Sequence, residues 1–254
     1  MNNLAVIILV AGEGTRLNHN RPFPKPKVLY ELADKPMIFY TLETVKLLKP
    51  AQIIIVVGYQ AEKVMKTLGP GYNFVFQERA LGTANAAECA IPKLRRNVRD
   101  LLVLNGDDSA FYTSQTLKAV IARHQKEKNI LTFVTLVKKD PFGLGRIIRS
   151  KEGKLLRIVE EKIATEREKK IREVNIGCYL FNKNWFAKNV SLVWLSKVGE
   201  YYLTDMVEIA LKKKQKVATF KLKNETEWVG INNSQELEIA DRLMRKKISH
   251  LPKN

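Results

Sequence analysis

Leu4 to Val10 reads LAVIILV, seven apolar residues in a row. The run is far short of the roughly 20 residues a bilayer span needs. It also lacks the polar–apolar alternation of a strand with one wet face. It therefore reads as a strand buried on both faces, the pattern of a sheet covered by helices on each side. The run ends in AGEGTR, a glycine-rich loop.

The segments that follow alternate. Residues 36–48 carry apolar side chains at helical spacing, with Pro36 in a first-turn position. Gln52 to Val57 is a second buried strand, 61–68 a short helix ended by Gly69 and Pro70, and 73–76 a third strand. Residues 83–91 form a helix of small residues, and 101–104 a fourth strand that runs into NGDD. Strands are expected at 130–137, 145–148, 155–159, 174–181 and 217–222, and helices at 185–190, 203–211 and 234–247. Such alternation predicts an α/β fold with a mostly parallel sheet. Ligands of these sheets sit at the carboxyl ends of the strands. The loops AGEGTR, QERALGT and NGDD, which follow strands one, three and four, should therefore meet at one edge.

At 254 residues the chain fits one large domain. With 44 Lys and Arg against 26 Asp and Glu the net charge is +18, which favours anionic partners: nucleic acid, anionic membrane or phosphorylated small molecules. No segment combines basic and aromatic residues as a nucleic-acid platform does, so no specific nucleic acid is expected. Cys89 and Cys178 are too few for a disulfide scaffold and read as small buried hydrophobes. No signal peptide and no membrane span are recognisable, so a cytoplasmic protein is the expectation. His19, His124 and His250 have no metal-like spacing. The charged stretches 166–172, 212–216 and 242–247 read as solvated surface.

Several residues could carry chemistry. The loop with Gly12, Gly14, Thr15 and Arg16 lets backbone N–H groups approach phosphates, although a tight strand-to-loop turn would look the same. It matches neither a P-loop nor the dinucleotide fingerprint. Arg16 suits bidentate phosphate contacts. Lys27, in PFPKPKVL, is aimed by stiffening prolines or is simply a surface lysine. Asp107 and Asp108 end a buried strand, where carboxylates can hold a hard divalent ion, or where Asp108 or Ser109 caps a turn. Asn232 and Asn233 precede the last helix, and either could cap it or serve a metal. Glu160 and Glu161 end a strand. Asn175 lies within one and must be satisfied there or face a ligand.

Taken together, AGEGTRL, PKVL with DKPM beginning seven residues after Lys27, QERALGTANA, NGD, DPFGLGRI, IVEEKIAT, EVNIG, GEYYLTD and WVGINN resemble the signature of sugar-phosphate nucleotidyltransferases. The resemblance is nearest to the uridylyltransferase (pyrophosphorylase) domain of bacterial N-acetylglucosamine-1-phosphate uridylyltransferases and covers about residues 4–245. It implies a Rossmann-like, GT-A-like three-layer fold with a mixed, mainly parallel central sheet. It implies one domain over 1–254, with a nucleotide-binding lobe at about 1–110 plus 225–254 and a sugar-binding lobe at about 111–224. By the same resemblance, the backbone of Leu9, Val10, Ala11 and Gly12, with Gly14, approaches the nucleotide, and Gln77, Gly82 and Thr83 read uracil. Arg16 and Lys27 hold the triphosphate, with Asp107 the third catalytic residue. Asp107 and Asn232 bind Mg²⁺. Gly145, Glu160 and Asn175 contact the sugar, and Tyr202 and Thr204 lie at its phosphate end.

The implied reaction joins UTP and N-acetylglucosamine 1-phosphate by in-line attack on the α-phosphorus, releasing pyrophosphate. UDP-glucose or dTDP-glucose synthesis on the same fold is the nearest alternative. A basic nucleic-acid or membrane-surface binder and a catalytically dead sensor are the others. Val10, Asn105, Asp108 and Ile176 depart from the family's pattern, and the loop between Arg16 and Lys27 is long. The hexapeptide repeats of the acetyltransferase β-helix are absent from this sequence. The expectation is therefore no acetyltransferase activity in this polypeptide, a separate acetyltransferase as an open partner, and a monomer.

Overall fold

In the computed structural model, which describes residues 3–19 and 24–250, every side chain of β1 (Leu4–Val10) is buried. Pro22 and Phe23 of the proline-rich segment lie outside the described residues. The strand alternates in what it packs against. Leu4, Val6, Ile8 and Val10 join one apolar cluster, while Ala5, Ile7 and Leu9 join another. Burial of each large aliphatic side chain stabilises by about 1.5–3 kcal/mol, so a strand covered on both faces anchors the fold.

After β1 come α1 (Thr15–Asn18), β2 (Glu31–Leu32), β3 (Lys35–Pro36), α2 (Met37–Lys46), β4 (Gln52–Val57), α3 (Ala61–Leu68), β5 (Asn73–Phe76), α4 (Thr83–Cys89), β6 (Asp100–Asn105) and α5 (Ser114–Glu127). The second half runs β7 (Leu131–Val137), β8 (Gly145–Arg149), β9 (Leu155–Val159), α6 (Glu166–Lys169), β10 (Glu173–Asn182), α7 (Lys183–Asn189), α8 (Asp205–Lys212), β11 (Val217–Lys221) and α9 (Ser234–Ser249). The first cluster packs α2, α3 and α5 on one face of the sheet, and the second packs α4, α7 and α8 on the other. This is the expected three-layer arrangement.

The main path of the sheet is ordered β11-β7-β10-β6-β1-β4-β5. β1 pairs parallel with both β4 and β6, β4 with β5, and β7 with β11. β10 runs antiparallel to β6 and β7, which makes the sheet mixed but mainly parallel. β8 and β9 extend from β10 as an antiparallel flap. The chain moves from β1 outward to β4 and β5, then crosses back to β6 on the other side of β1. That reversal opens a crevice beyond the carboxyl ends of β1 and β6, where ligands of open α/β sheets bind.

Some details differ from the sequence reading, among them the short α1, β2 and β3 before residue 37, with Pro36 in β3 and not in the first turn of α2. That reading assigns no element between 104 and 130, yet α5 fills the gap. Thr113 caps it by accepting from Thr116 N, and Leu117, Val120, Ile121 and His124 form its buried face. The helix expected at 203–211 begins only at Asp205, because the segment before it is engaged with α4. Cys178 is buried as expected, but Cys89 is only partly so; both are free thiols. The charged stretch 166–172 contains α6, an exposed turn held by a capping box between Thr165 and Glu168. Among the described residues, no helix is long and apolar enough to cross a membrane.

Candidate active site

Three adjoining cavities of about 340, 620 and 210 Å³ form one cleft over that crevice. Lys27, Asp107 and Glu200 line all three, so they stand at the junction. The loops after β1, β5 and β6 do meet here: Gly12 to Thr15, Gln77 to Thr83 and Asn105 to Asp107 all contribute lining residues.

The first cavity is bounded by Leu9, Val10, Ala11, Gly12 and Gly14 from the first loop and by Gln77, Gly82 and Thr83 from the second. Gly14 has φ +65, and a Cβ there would stand 3.0 Å from the Lys27 Cβ, so this loop rests directly on the lysine stem. Gly82 is more constrained. It has φ +98, and a Cβ would lie 2.6 Å from Tyr201 O. The approach is this close because the two segments are joined: Tyr201 N donates to Leu81 O at 2.8 Å, Ala84 N to Tyr201 O at 2.9 Å, and Leu203 N to Thr83 Oγ1 at 2.9 Å. α4 is built of small residues, and Ala84, Ala86 and Ala87 let it lie close against β1.

Gln77 is buried, and its side-chain N–H groups are both committed, to Gly82 O at 3.0 Å and Asn85 Oδ1 at 2.8 Å. Its Oε1 is left as the unused end of the amide. Only the acceptor end of the amide therefore remains available.

At the junction Lys27 Nζ donates to Asp107 Oδ2 at 2.6 Å, with side-chain exposures of 11% and 34%. Asp108 lines the smallest of the three cavities beside it. Its Oδ1 is buried without a partner, and burial together with the neighbouring Asp107 charge holds its pKa well above the carboxylate range. Arg16 also lines the cleft, and a Cβ on Gly143 would stand 3.2 Å from its Nη1, so the guanidinium lies against the DPFGLG loop.

The structure separates the two asparagines before α9. Asn233 caps the helix by accepting from Glu236 N at 2.9 Å, while Glu236 reaches back to Asn232 N. That leaves the Asn232 side chain to line the cleft. It arrives there because α9 docks on the β2–β3 turn, where Ala33 N donates to Asp241 Oδ1 at 2.7 Å and Arg245 pairs with Asp34. Asp107 and Asn232 offer one carboxylate and one amide oxygen. Among the described residues there is no group of three or more His, Cys, Asp or Glu that could hold a metal. An open pair of hard oxygen donors fits Mg²⁺, which keeps water and phosphate oxygens as its remaining ligands.

The smallest cavity gathers Gly145, Glu160, Asn175, Tyr202 and Thr204 from β8, the end of β9, β10 and the turn before α8. Gly145 stands opposite Asn175 in the β8–β10 ladder, and a Cβ on it would meet Ile158 at 3.0 Å and Glu160 at 3.4 Å. Thr204 Oγ1 donates to Glu160 Oε1 at 2.8 Å. Burial raises the pKa of Glu160 and pushes that of Tyr202 to about 12. Asn175 Nδ2 donates to Tyr179 OH at 2.6 Å, while its Oδ1, like Trp228 Nε1, is buried without a partner.

The departures from the family pattern are accommodated. Val10 Cγ1 packs over Gly106, where any side chain would collide with it, so its extra bulk is taken up by a glycine. Asn105 lies across Gly177, whose φ of +67 marks a bulge in β10. Ile176 faces the apolar cluster on the opposite side of the sheet from Asn175, away from the cleft. Glu200, which sequence reasoning did not single out, lines every part of the cleft and pairs with Lys162 at 2.7 Å. Its signal was its place in GEYYLTD. The charged lining is richer in acids than in bases: Arg16, Lys27 and Lys162 face Glu13, Asp107, Asp108, Glu160, Glu161 and Glu200. Most of the +18 therefore lies elsewhere on the surface.

A mixed α/β sheet with a glycine loop, a buried amide and an ion-paired carboxylate gathered in a cleft over its switch point has the layout of the ligand-binding proteins of the open α/β class. The nucleotidyl transferase family model matches residues 5–245, and the chain belongs to that family. It is 37% identical over 250 residues to the protein named bifunctional protein GlmU of Streptococcus pyogenes serotype M5 (strain Manfredo), covering 98% of this chain and 53% of that one. It is 39% identical, with the same coverage, to the protein of that name from Streptococcus equi subsp. zooepidemicus (strain ATCC 35246 / C74-63). The chain thus spans about half the length of these curated relatives. Among solved structures it resembles a Bacillus anthracis chain named as a glucose-1-phosphate thymidylyltransferase, with TM-score 0.79, 21% identity, and coverage of 99% and 97%. A UDP-glucose pyrophosphorylase complexed with UDP-glucose gives TM-score 0.79 at 19% identity, with coverage of 96% and 98%. These two likenesses show the fold.

Proposed function

We propose that the chain forms UDP-N-acetylglucosamine and pyrophosphate from UTP and N-acetylglucosamine 1-phosphate. The observation that carries this reading is the continuity of the cleft. Lys27 and Asp107 stand between a cavity that ends at Gln77 and one that ends at Glu160 and Asn175. A nucleoside triphosphate and a sugar phosphate laid in those two arms would bring their phosphates together at the junction.

In this reading Gln77 Oε1 accepts from the N3–H of uracil. Cytosine carries an unprotonated N3 acceptor at that position and would set lone pair against lone pair, so the base is one with an N3–H. Backbone N–H groups of the Gly12–Gly14 loop receive phosphate oxygens. Arg16 and Lys27 neutralise the charge that grows on the departing pyrophosphate. Asp107 and Asn232 would hold Mg²⁺, which would supply positive charge to offset that of the phosphates. The acid-rich lining supports a metal-complexed substrate over a bare polyanion. The unpartnered atoms of Asn175, Trp228 and Asp108 are suited to the hydroxyls of a sugar, since buried polar atoms ordinarily find partners. The attacking phosphate is already anionic, so the protein need only align it for in-line displacement. The chain divides functionally into a nucleotide-binding lobe, about 1–110 plus 225–254, and a sugar-binding lobe, about 111–224.

The choice of N-acetylglucosamine rests on the motif resemblance. The structural neighbours are named for glucose 1-phosphate and UDP-glucose chemistry, which makes glucose 1-phosphate with UTP or dTTP the second reading. Pyrophosphate release measured over the four ribonucleotides and dTTP, each with several sugar 1-phosphates and Mg²⁺, tests both. The expected best pair is UTP with N-acetylglucosamine 1-phosphate. Preference for glucose 1-phosphate selects the second reading, and silence across the matrix removes both.

A further inference from the structure

The contact between Lys27 and Asp107 spends two functional groups on each other. Lys27 Nζ sits 2.6 Å from Asp107 Oδ2, and the two residues lie 80 positions apart in the chain. Both line every arm of the cleft. The pair leaves the metal-binding set with an amide oxygen and a carboxylate whose charge is already balanced. Asp108 lines only one arm, with its Oδ1 buried and without a partner. The remaining charged groups lining the cleft are Arg16 and Lys162, which repel a cation, and Glu13, Glu160, Glu161 and Glu200. Of these, Glu161 pairs with Arg146 and Glu200 with Lys162.

We infer that Lys27 occupies the metal carboxylate while the nucleotide is absent, so that the divalent cation enters as its complex with the nucleoside triphosphate and not alone. The inference rests on the nucleotidyltransferase reading and deepens it by naming the form in which the substrate is taken. Lys27 can make the exchange because its stem lies directly beneath the phosphate loop, with Gly14 in contact with its Cβ. Phosphate oxygens arriving on that loop give the ammonium a second anionic partner a short swing away. As Lys27 moves to phosphate, Asp107 Oδ2 is released toward the cation that the phosphates carry. One ion pair is replaced by two, so the exchange is favourable only when nucleotide and metal arrive together. A cation alone must displace Lys27, whose largely buried ammonium then loses its ion-pair partner, and that opposes the exchange.

The test uses Mn²⁺ as probe on the full chain, with free Mn²⁺ followed by electron paramagnetic resonance and no sugar phosphate present. Wild type alone should bind Mn²⁺ weakly and bind it much more tightly once UTP is added. Lys27→Met keeps the packed stem and drops the ammonium; without nucleotide it should bind Mn²⁺ about tenfold more tightly than wild type or better. Lys27→Gln serves as a second fold-preserving variant with the same expectation, each checked by its thermal melt. Lys27→Arg should stay as weak as wild type, and adding Asp107→Asn to Lys27→Met should erase the gain. Equal nucleotide-free affinity in wild type and both neutral variants overturns the inference, while wild-type pyrophosphate release leaves the functional reading standing. If wild type neither couples Mn²⁺ to UTP nor releases pyrophosphate, the functional reading falls and the inference with it.

Discussion

Gly82→Ala offers a perturbation whose size can be worked from the structure. The new Cβ would stand 2.6 Å from Tyr201 O, 2.8 Å from Tyr201 N and 3.1 Å from Tyr201 C, all backbone atoms, at a φ of +98. Since real Cβ contacts rarely fall below 3.0 Å, the two segments must part by several tenths of an ångström. Placing alanine at such a φ costs about 1–3 kcal/mol. Parting the segments weakens three hydrogen bonds, between Leu81, Thr83 and Ala84 on one side and Tyr201 and Leu203 on the other, each worth about 1 kcal/mol. The expected loss of stability is therefore about 2–5 kcal/mol, read from urea unfolding at constant m-value. A functional effect should accompany it, because Gly82 O also accepts from Gln77 Nε2. Once that carbonyl shifts, the Gln77 amide loses one of the two contacts that hold its acceptor toward the base. UTP turnover should fall more than the stability loss alone explains, and the preference for UTP over CTP should narrow. Unfolding within about 0.5 kcal/mol of wild type, with base preference unchanged, would refute the reasoning, since that is the range of neutral surface substitutions.

Other predictions follow from the same geometry. Arg16→Ala and Asp107→Ala should each lower turnover by about 100-fold or more with unfolding midpoints kept, and near-normal rates in either would remove it from the machinery. Asn233→Ala should cost about 1 kcal/mol through the lost α9 cap and leave turnover close to wild type, whereas Asn232→Ala should do the reverse; exchanged phenotypes would exchange the two roles. Asp205, buried beside Glu160, has its pKa pushed up to about 7 from 3.8. Between those values the folded protein keeps a proton the unfolded chain has released, so Asp205 lowers stability progressively as pH rises from about 4 to about 7 and no further above. The contribution is at most about 4 kcal/mol. Asp205→Asn should therefore gain on wild type at pH 8 but not at pH 4, and the same difference at both pH values would count against it.

The sheet was legible because its strands are continuous apolar runs between glycines and polar loops. LAVIILV and QIIIVV admit little else, and the convergence of three loops follows from parallel strands alone. Helix α5 was equally readable in principle. Thr113 caps it, and Leu117, Val120, Ile121 and His124 recur at helical spacing. Its many polar residues diluted that stripe, so periodicity had to be read against composition. Other features have no local signal. Nothing near Lys27 says that it meets Asp107, because only the sheet brings the two together. The order of Asn232 and Asn233 was undecidable without knowing which amide Glu236 left free. The bulge at Gly177 and the compensating placement of Asn105 depend on a register that sequence does not express. The acid excess of the cleft ran against the overall charge, because net charge counts residues without saying which way they face.

The most direct test of the account follows the phosphorus itself. UTP labelled at the α-phosphorus is incubated with the protein, Mg²⁺ and N-acetylglucosamine 1-phosphate, and the label is located after separation. The account predicts that it moves wholly into UDP-N-acetylglucosamine, with none in pyrophosphate and none attached to the protein. Label retained on the chain, or released as UMP without a sugar adduct, would contradict it.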